Sequence, residues 1–94
     1  METGYLLQNQ YLGVKRGKHG IFMFNRNDRF IGKSLDLYGE WGELEIELLK
    51  PAIRHGDVVL DVGANIGTHT VAFANMVGST GRIHSFEPQR VLFQ

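Results

Sequence analysis

Cysteine is absent from these 94 residues, so neither a disulfide framework nor a thiolate-ligated zinc site can be built. Charge of one sign is not in excess. Ten Lys and Arg balance ten Asp and Glu, which argues against a polycation working on nucleic acid. No apolar run approaches the roughly 20 residues of a membrane span. The start, Met1-Glu2-Thr3-Gly4, lacks the basic-then-apolar pattern of a signal peptide. The four histidines, His19, His55, His69 and His84, have no metal-ligand spacing, so no metal is expected. These absences lead to the expectation of a cytoplasmic protein with no nucleic-acid or membrane partner. They leave the oligomeric state open. A mass of 10.6 kDa allows one small domain and excludes a two-domain enzyme with a cleft between domains. What is present, 43% hydrophobic and 11% aromatic residues, is ordinary for a globular fold and too rich for a disordered chain.

Charge is unevenly placed. Six bases from Lys15 to Lys33 face one acid, Asp28, and Asp36 to Glu47 holds five acids and no base. A solvated hairpin followed by an acidic helix face accounts for this, as does a basic surface for an acidic partner. Residues 1–39 read as a β-rich region. Tyr5 to Val14 holds β-formers with weak alternation. Ile21-Phe22-Met23-Phe24, the turn cluster Asn25 to Asp28, and Arg29-Phe30-Ile31-Gly32 together give a hairpin signal. Residues 40–94 change period. Leu44, Leu48, Leu49, Ala52 and Ile53 predict one broad apolar helix face, ending near Pro51 and His55-Gly56. Asp57 to Val62 is a continuous apolar run suited to a strand buried on both faces. Thr68 to Val77 reads as a helix stopped by Gly78, with Thr70, Phe73, Ala74 and Val77 on one side. Arg82 to Phe86 reads as a second strand, and Pro88 as the start of a third helix to Gln94.

From Val58 to Glu87 the order is strand, Gly-rich loop, helix, strand: a βαβ unit, whose ligands bind at the carboxyl ends of the strands. The loop there is Asp61-Val62-Gly63-Ala64-Asn65-Ile66-Gly67, and Glu87 lies twenty residues after Gly67. Gly63 and Gly67 permit close backbone approach. Asn65 tolerates a left-handed conformation. An acid ending the second strand can accept the hydroxyls of a ribose, although Glu87 also fits an exposed strand-end carboxylate. Asp61 either caps the loop or faces the cationic end of a ligand. The dinucleotide fingerprint needs Gly at 65 and 68, where Asn65 and Thr68 stand. The loop instead matches the class I methyltransferase pattern acid-x-Gly-x-Gly-x-Gly, with Asn65 at the middle glycine. Glu40 and Trp41 fit either the methionine end of that cofactor or a helix start with a core aromatic. His69 fits either a substrate neighbour or a polar surface residue.

The stretch Gly56 to Gly67, followed by Phe86-Glu87-Pro88 and preceded by Tyr38-Gly39-Glu40-Trp41 and Glu45, resembles the FkbM family of S-adenosylmethionine-dependent methyltransferases. The resemblance spans about residues 36 to 94. It implies an α/β fold in which an N-terminal β-hairpin and helix precede the first βαβ unit of a class I, Rossmann-like methyltransferase fold, here truncated. It implies that Asp61, Gly63, Ala64, Asn65 and Gly67 form the S-adenosylmethionine loop and that Glu87 holds the ribose. The implied activity is O-methylation of a hydroxyl on a small metabolite or saccharide. The family's later strands, which would bring adenine and substrate contacts, are not in the sequence, so no catalytic base is assigned. The 94-residue chain is expected not to be competent alone. The alternative is an NAD-like nucleotide-binding module without methyl transfer.

Overall fold

A computed structural model describes residues 4–90 and Leu92. The chain divides into two compact units, Met1–Trp41 and Gly42–Gln94. In the first, β1 (Tyr5–Gln8), β2 (Leu12–Arg16) and β3 (Ile21–Asn25) form an antiparallel meander in the order β1-β2-β3, followed by helix α1 (Ile31–Tyr38). In the second, α2 (Glu43–Leu49) and a 3-10 turn (Lys50–Ala52) precede β4 (Val58–Val62), α3 (Thr68–Val77) and β5 (Arg82–Phe86). The α/β class and the Rossmann-like strand–helix–strand order agree with the sequence reading.

The stretch from Tyr5 to Val14 is broken in two by an Asx turn. The Asn9 Oδ1 accepts the amides of Tyr11 and Leu12, both at 2.7 Å. Register then runs Leu12↔Asn25 through Arg16↔Ile21 across β2 and β3. The true hairpin therefore turns at Gly17 to Gly20, where the Gly17 amide donates to the Gly20 carbonyl at 2.7 Å. The strand expected at Arg29 to Gly32 is instead the lead-in and first turn of α1. The Asp28 carboxylate accepts the amides of Phe30 (3.0 Å) and Gly32 (2.9 Å), meeting helix-start donors that no earlier carbonyl reaches. Gly32 allows this helix to sit close to β3, since a Cβ there would overlap the Asn25 carbonyl oxygen. Phe22, Phe24 and Leu35 are buried as the apolar centre of this unit.

Tyr5 ties α1 to the meander. Its hydroxyl donates to Asp36 Oδ1 at 2.6 Å, and Lys15 Nζ donates to the Asp36 carbonyl at 2.6 Å. The ring lies 5.2 Å from Lys15 Nζ and 5.1 Å from the Arg26 guanidinium, two cation–π contacts. Burial, then the Asp36 hydrogen bond and charge, push the Tyr5 phenol above its ordinary value of 10.0.

In the second unit β4 and β5 pair in parallel, Val58↔Arg82 through Val62↔Phe86. Helix α3 begins and ends at the residues expected, and Gly78 at φ 70° closes it. Its buried residues are Thr68, Ala72, Phe73 and Val77. Two expectations about faces fail. Among the residues of α2 only Ile46 is buried, at 1% exposure, while Leu44 is 76% and Leu48 71% exposed. Ile46 stands roughly 200° of helical rotation from both, and a two-turn helix packed on α3 has room to bury one side only. In β4 Val58, Leu60 and Val62 are exposed, so the strand is covered on the α3 face alone rather than on both. The helix expected over 88–94 is not found where the chain is described: Pro88 to Arg90 is non-helical, and the Leu92 amide donates to the Gln89 carbonyl at 3.0 Å, while residues 91, 93 and 94 lie outside the described residues. Among the described residues no helix is long and apolar enough to cross a membrane.

Candidate cofactor site

The right-handed logic of a βαβ unit brings the carboxyl ends of both strands to one edge. There the loop after β4 bends over the end of β5. The amides of Gly63 and Ala64 both donate to the Phe86 carbonyl, at 2.8 and 3.0 Å. The Asn65 amide donates to Glu87 Oε1 at 2.8 Å, across 22 residues of sequence. The Ile66 amide turns to Asn65 Oδ1 at 2.9 Å, and the Gly67 amide closes onto the Ala64 carbonyl at 2.9 Å. Every amide from Gly63 to Gly67 is thus satisfied within the chain. The sequence places Glu87 near the loop; the structure joins the two directly.

Backbone conformation explains the residue types. Asn65 has φ 57°, the left-handed region that asparagine tolerates better than other non-glycine residues. Gly63 has φ 78°, and a Cβ built on it would meet nothing within 4 Å, so open space lies over this part of the loop. Ala64 is the buried residue of the loop. Gly67, at φ 94°, is the N-cap of α3.

Both acids are anchored with acceptor capacity to spare. Glu87 takes the Asn65 amide on one oxygen and the Gln89 amide on the other, at 2.8 Å each, while a carboxylate has about four acceptor sites. Asp61 accepts the Thr70 hydroxyl on Oδ2 at 2.7 Å, and its Oδ1 has no partner among the described residues. Thr70 Oγ1 also lies 2.7 Å from Ser85 Oγ. Sequence reasoning missed both hydroxyls: Thr70 is read there only as sharing one side of a helix with Phe73, Ala74 and Val77. The available signal is strand alternation, since Asp61 and Ser85 stand opposite each other in register.

The remaining candidates divide between the two units. His69 packs in the second unit against Phe73, with ring centroids 5.8 Å apart, and its Nε2 is 3.8 Å from Glu45 Oε2. Glu40 and Trp41 belong to the first unit, where the Glu40 carboxylate is 4.0 Å from Lys18 Nζ and its carbonyl accepts the Ser34 hydroxyl. Among the described residues no group of three His, Cys, Asp or Glu is placed to hold a metal.

S-adenosylmethionine presents a sulfonium, an ammonium and ribose hydroxyls, and no phosphate. The residues present suit it: an open carboxylate oxygen on Asp61, unused lone pairs on Glu87, and space over Gly63. Residues 43–94 match the family described as protein-L-isoaspartate(D-aspartate) O-methyltransferase (PCMT). The match agrees with an S-adenosylmethionine-dependent methyltransferase and does not single out the FkbM family. No solved structure matches the chain. The chain therefore belongs to the protein-L-isoaspartate(D-aspartate) O-methyltransferase family, whose enzymes take their methyl group from S-adenosylmethionine.

Proposed function

We propose that the loop Asp61 to Gly67 and Glu87 hold S-adenosylmethionine, and that the methyl group goes to a hydroxyl oxygen of a small metabolite or saccharide in the cytoplasm. The observation that carries the cofactor half is the hydrogen bonding of the loop. Loops that seat a pyrophosphate offer it backbone amides. Here the five amides from Gly63 to Gly67 are spent inside the chain, and the side chains at the strand ends are acids. An anionic dinucleotide is repelled by that arrangement, and a cationic, hydroxyl-bearing ligand is favoured. When bound, the cofactor supplies a methyl group on a cationic sulfur, ready for in-line displacement. In this reading Glu87 accepts the ribose hydroxyls, Asp61 faces the cationic end, and Gly63, Ala64, Asn65 and Gly67 shape the floor. The hydroxyl acceptor follows from the FkbM-like run Asp61-Val62-Gly63-Ala64-Asn65-Ile66-Gly67 with Phe86-Glu87-Pro88.

The family match favours a second acceptor, the free α-carboxylate of an isoaspartyl residue in a protein, whose peptide link runs through the side-chain carbonyl. The two differ in product chemistry: an alcohol gives a methyl ether and a carboxylate gives a methyl ester. Full-length protein incubated with methyl-labelled S-adenosylmethionine and either saccharide alcohols or an isoaspartyl peptide separates them. Label that survives alkali, carried on the alcohol, is the expected result. Label on the peptide that alkali releases as methanol would overturn the hydroxyl assignment in favour of the second reading.

A further inference from the structure

We infer that Thr70 and Ser85 act as positioning residues that aim the Asp61 carboxylate at the cofactor's cationic end, an inference that rests on the cofactor site proposed above. Three elements converge to make the arrangement. Asp61 lies on β4, Ser85 stands opposite it on β5, and Thr70 lies in the first turn of α3 over the same sheet face. Thr70 Oγ1 is 2.7 Å from Asp61 Oδ2 and 2.7 Å from Ser85 Oγ.

Proton counting fixes the direction of both bonds. An ionised carboxylate has no hydrogen to give, and a threonine hydroxyl has one. Thr70 must therefore spend its hydrogen on Asp61 Oδ2, and it can only accept from Ser85. The order is Ser85 to Thr70 to Asp61. Ser85 orients the Thr70 hydroxyl, Thr70 holds one carboxylate oxygen, and the other oxygen, Oδ1, stays open. A carboxylate with one oxygen pinned by a charge-assisted bond has lost most of its freedom to rotate away. The protein thus orders the acid before ligand arrives, rather than at the expense of binding free energy. Thr70 sits on a helix tied to the cofactor loop, because the Val71 amide donates to the Gly67 carbonyl at 3.0 Å. Loop shape and carboxylate aim are consequently set by the same first turn.

The test is calorimetric titration of the full-length protein with S-adenosylmethionine, with thermal unfolding recorded for each variant. Thr70→Val keeps shape but has no hydroxyl, and is expected to bind about tenfold more weakly. Thr70→Ser restores the donor and should return to within about threefold of wild type. Added to Asp61→Ala, which itself weakens binding, Thr70→Val should change nothing further, since there is no carboxylate left to aim. Equal losses in Thr70→Val and Thr70→Ser, or wild-type affinity in Thr70→Val while Asp61→Ala is weak, overturn the positioning role and leave the cofactor site standing. Wild-type affinity in Asp61→Ala, or no binding by the wild-type protein, overturns the cofactor reading and this inference with it. If Thr70→Val unfolds, the exposed Ser85→Ala decides. It should weaken binding about threefold in the wild-type background and not at all beside Asp61→Ala, and any other pattern refutes the relay.

Discussion

Glu87→Ala removes a clamp and a proposed ligand contact at once, and the two losses can be read separately. The clamp is the pair of amides from Asn65 and Gln89, each 2.8 Å from a carboxylate oxygen. Hydrogen bonds to charged groups contribute about 1.5–3 kcal/mol net. The Asn65 bond is part-buried and stands at the low end of that range, while the exposed Gln89 bond contributes about 0.5 kcal/mol after solvent screening. The loop therefore loses about 2 kcal/mol of local stability, and the Asn65 amide should exchange with solvent about 30-fold faster. The ligand contact is the ribose. Losing a charged acceptor for its hydroxyls should weaken S-adenosylmethionine by a further factor of about ten or more. Glu87→Gln keeps one carbonyl acceptor but turns an NH2 donor toward one of the two amides, so it should fall between wild type and alanine. Hydrogen exchange by NMR reads the clamp and calorimetry reads the ligand. Unchanged exchange at Asn65 refutes the clamp. Faster exchange with unchanged S-adenosylmethionine affinity refutes the ribose assignment.

Further expectations concern the loop, the helix face and the meander. Asn65→Ala places a Cβ-bearing residue at φ 57° and removes the acceptor of the Ile66 amide, and should cost about 1–2 kcal/mol in chemical denaturation, whereas Asn65→Gly, which loses the same acceptor without the Cβ strain, should cost about 1 kcal/mol less than alanine. Ile46→Ala empties a fully buried site and should cost roughly 2–4 kcal/mol, while Leu48→Ala should cost under about 0.5 kcal/mol; the reverse order would show that α2 faces its core the other way. Tyr5 should ionise above pH 10.0 in an ultraviolet titration. Because its folded value is raised, its contribution to stability is complete below pH 10 and declines as pH climbs toward the folded value, a decline that Tyr5→Phe should abolish.

Local signals carried much of the architecture. Helix α3 and strand β5 were legible to the residue, because a three-to-four spacing stopped by Gly78 and a short segment between the Gly78 to Gly81 turn and Glu87-Pro88 depend on nothing distant. The loop was legible for the same reason: Gly63, Asn65 and Gly67 are required by backbone dihedrals of their own segment. Elsewhere local pattern pointed the wrong way. Arg29 to Gly32 has strand-forming residues, yet the Asp28 carboxylate and the close seat of Gly32 on β3 turn it into a helix start. Leu44 and Leu48 outnumber Ile46, yet contact with α3 chose Ile46 for burial.

The sequence by itself determined the kind of site: a glycine-bearing loop, an acid before it and an acid at the end of the next strand. Only the tertiary structure decided how those parts are held. Parallel pairing of β4 with β5 sets Asp61 opposite Ser85, the crossover lays Thr70 above them, and the loop folds its amides onto Phe86 and Glu87. Residues so far apart in the chain share no periodicity that a linear reading detects. Their contact exists because strand register and helix placement are settled by packing, not by local preference.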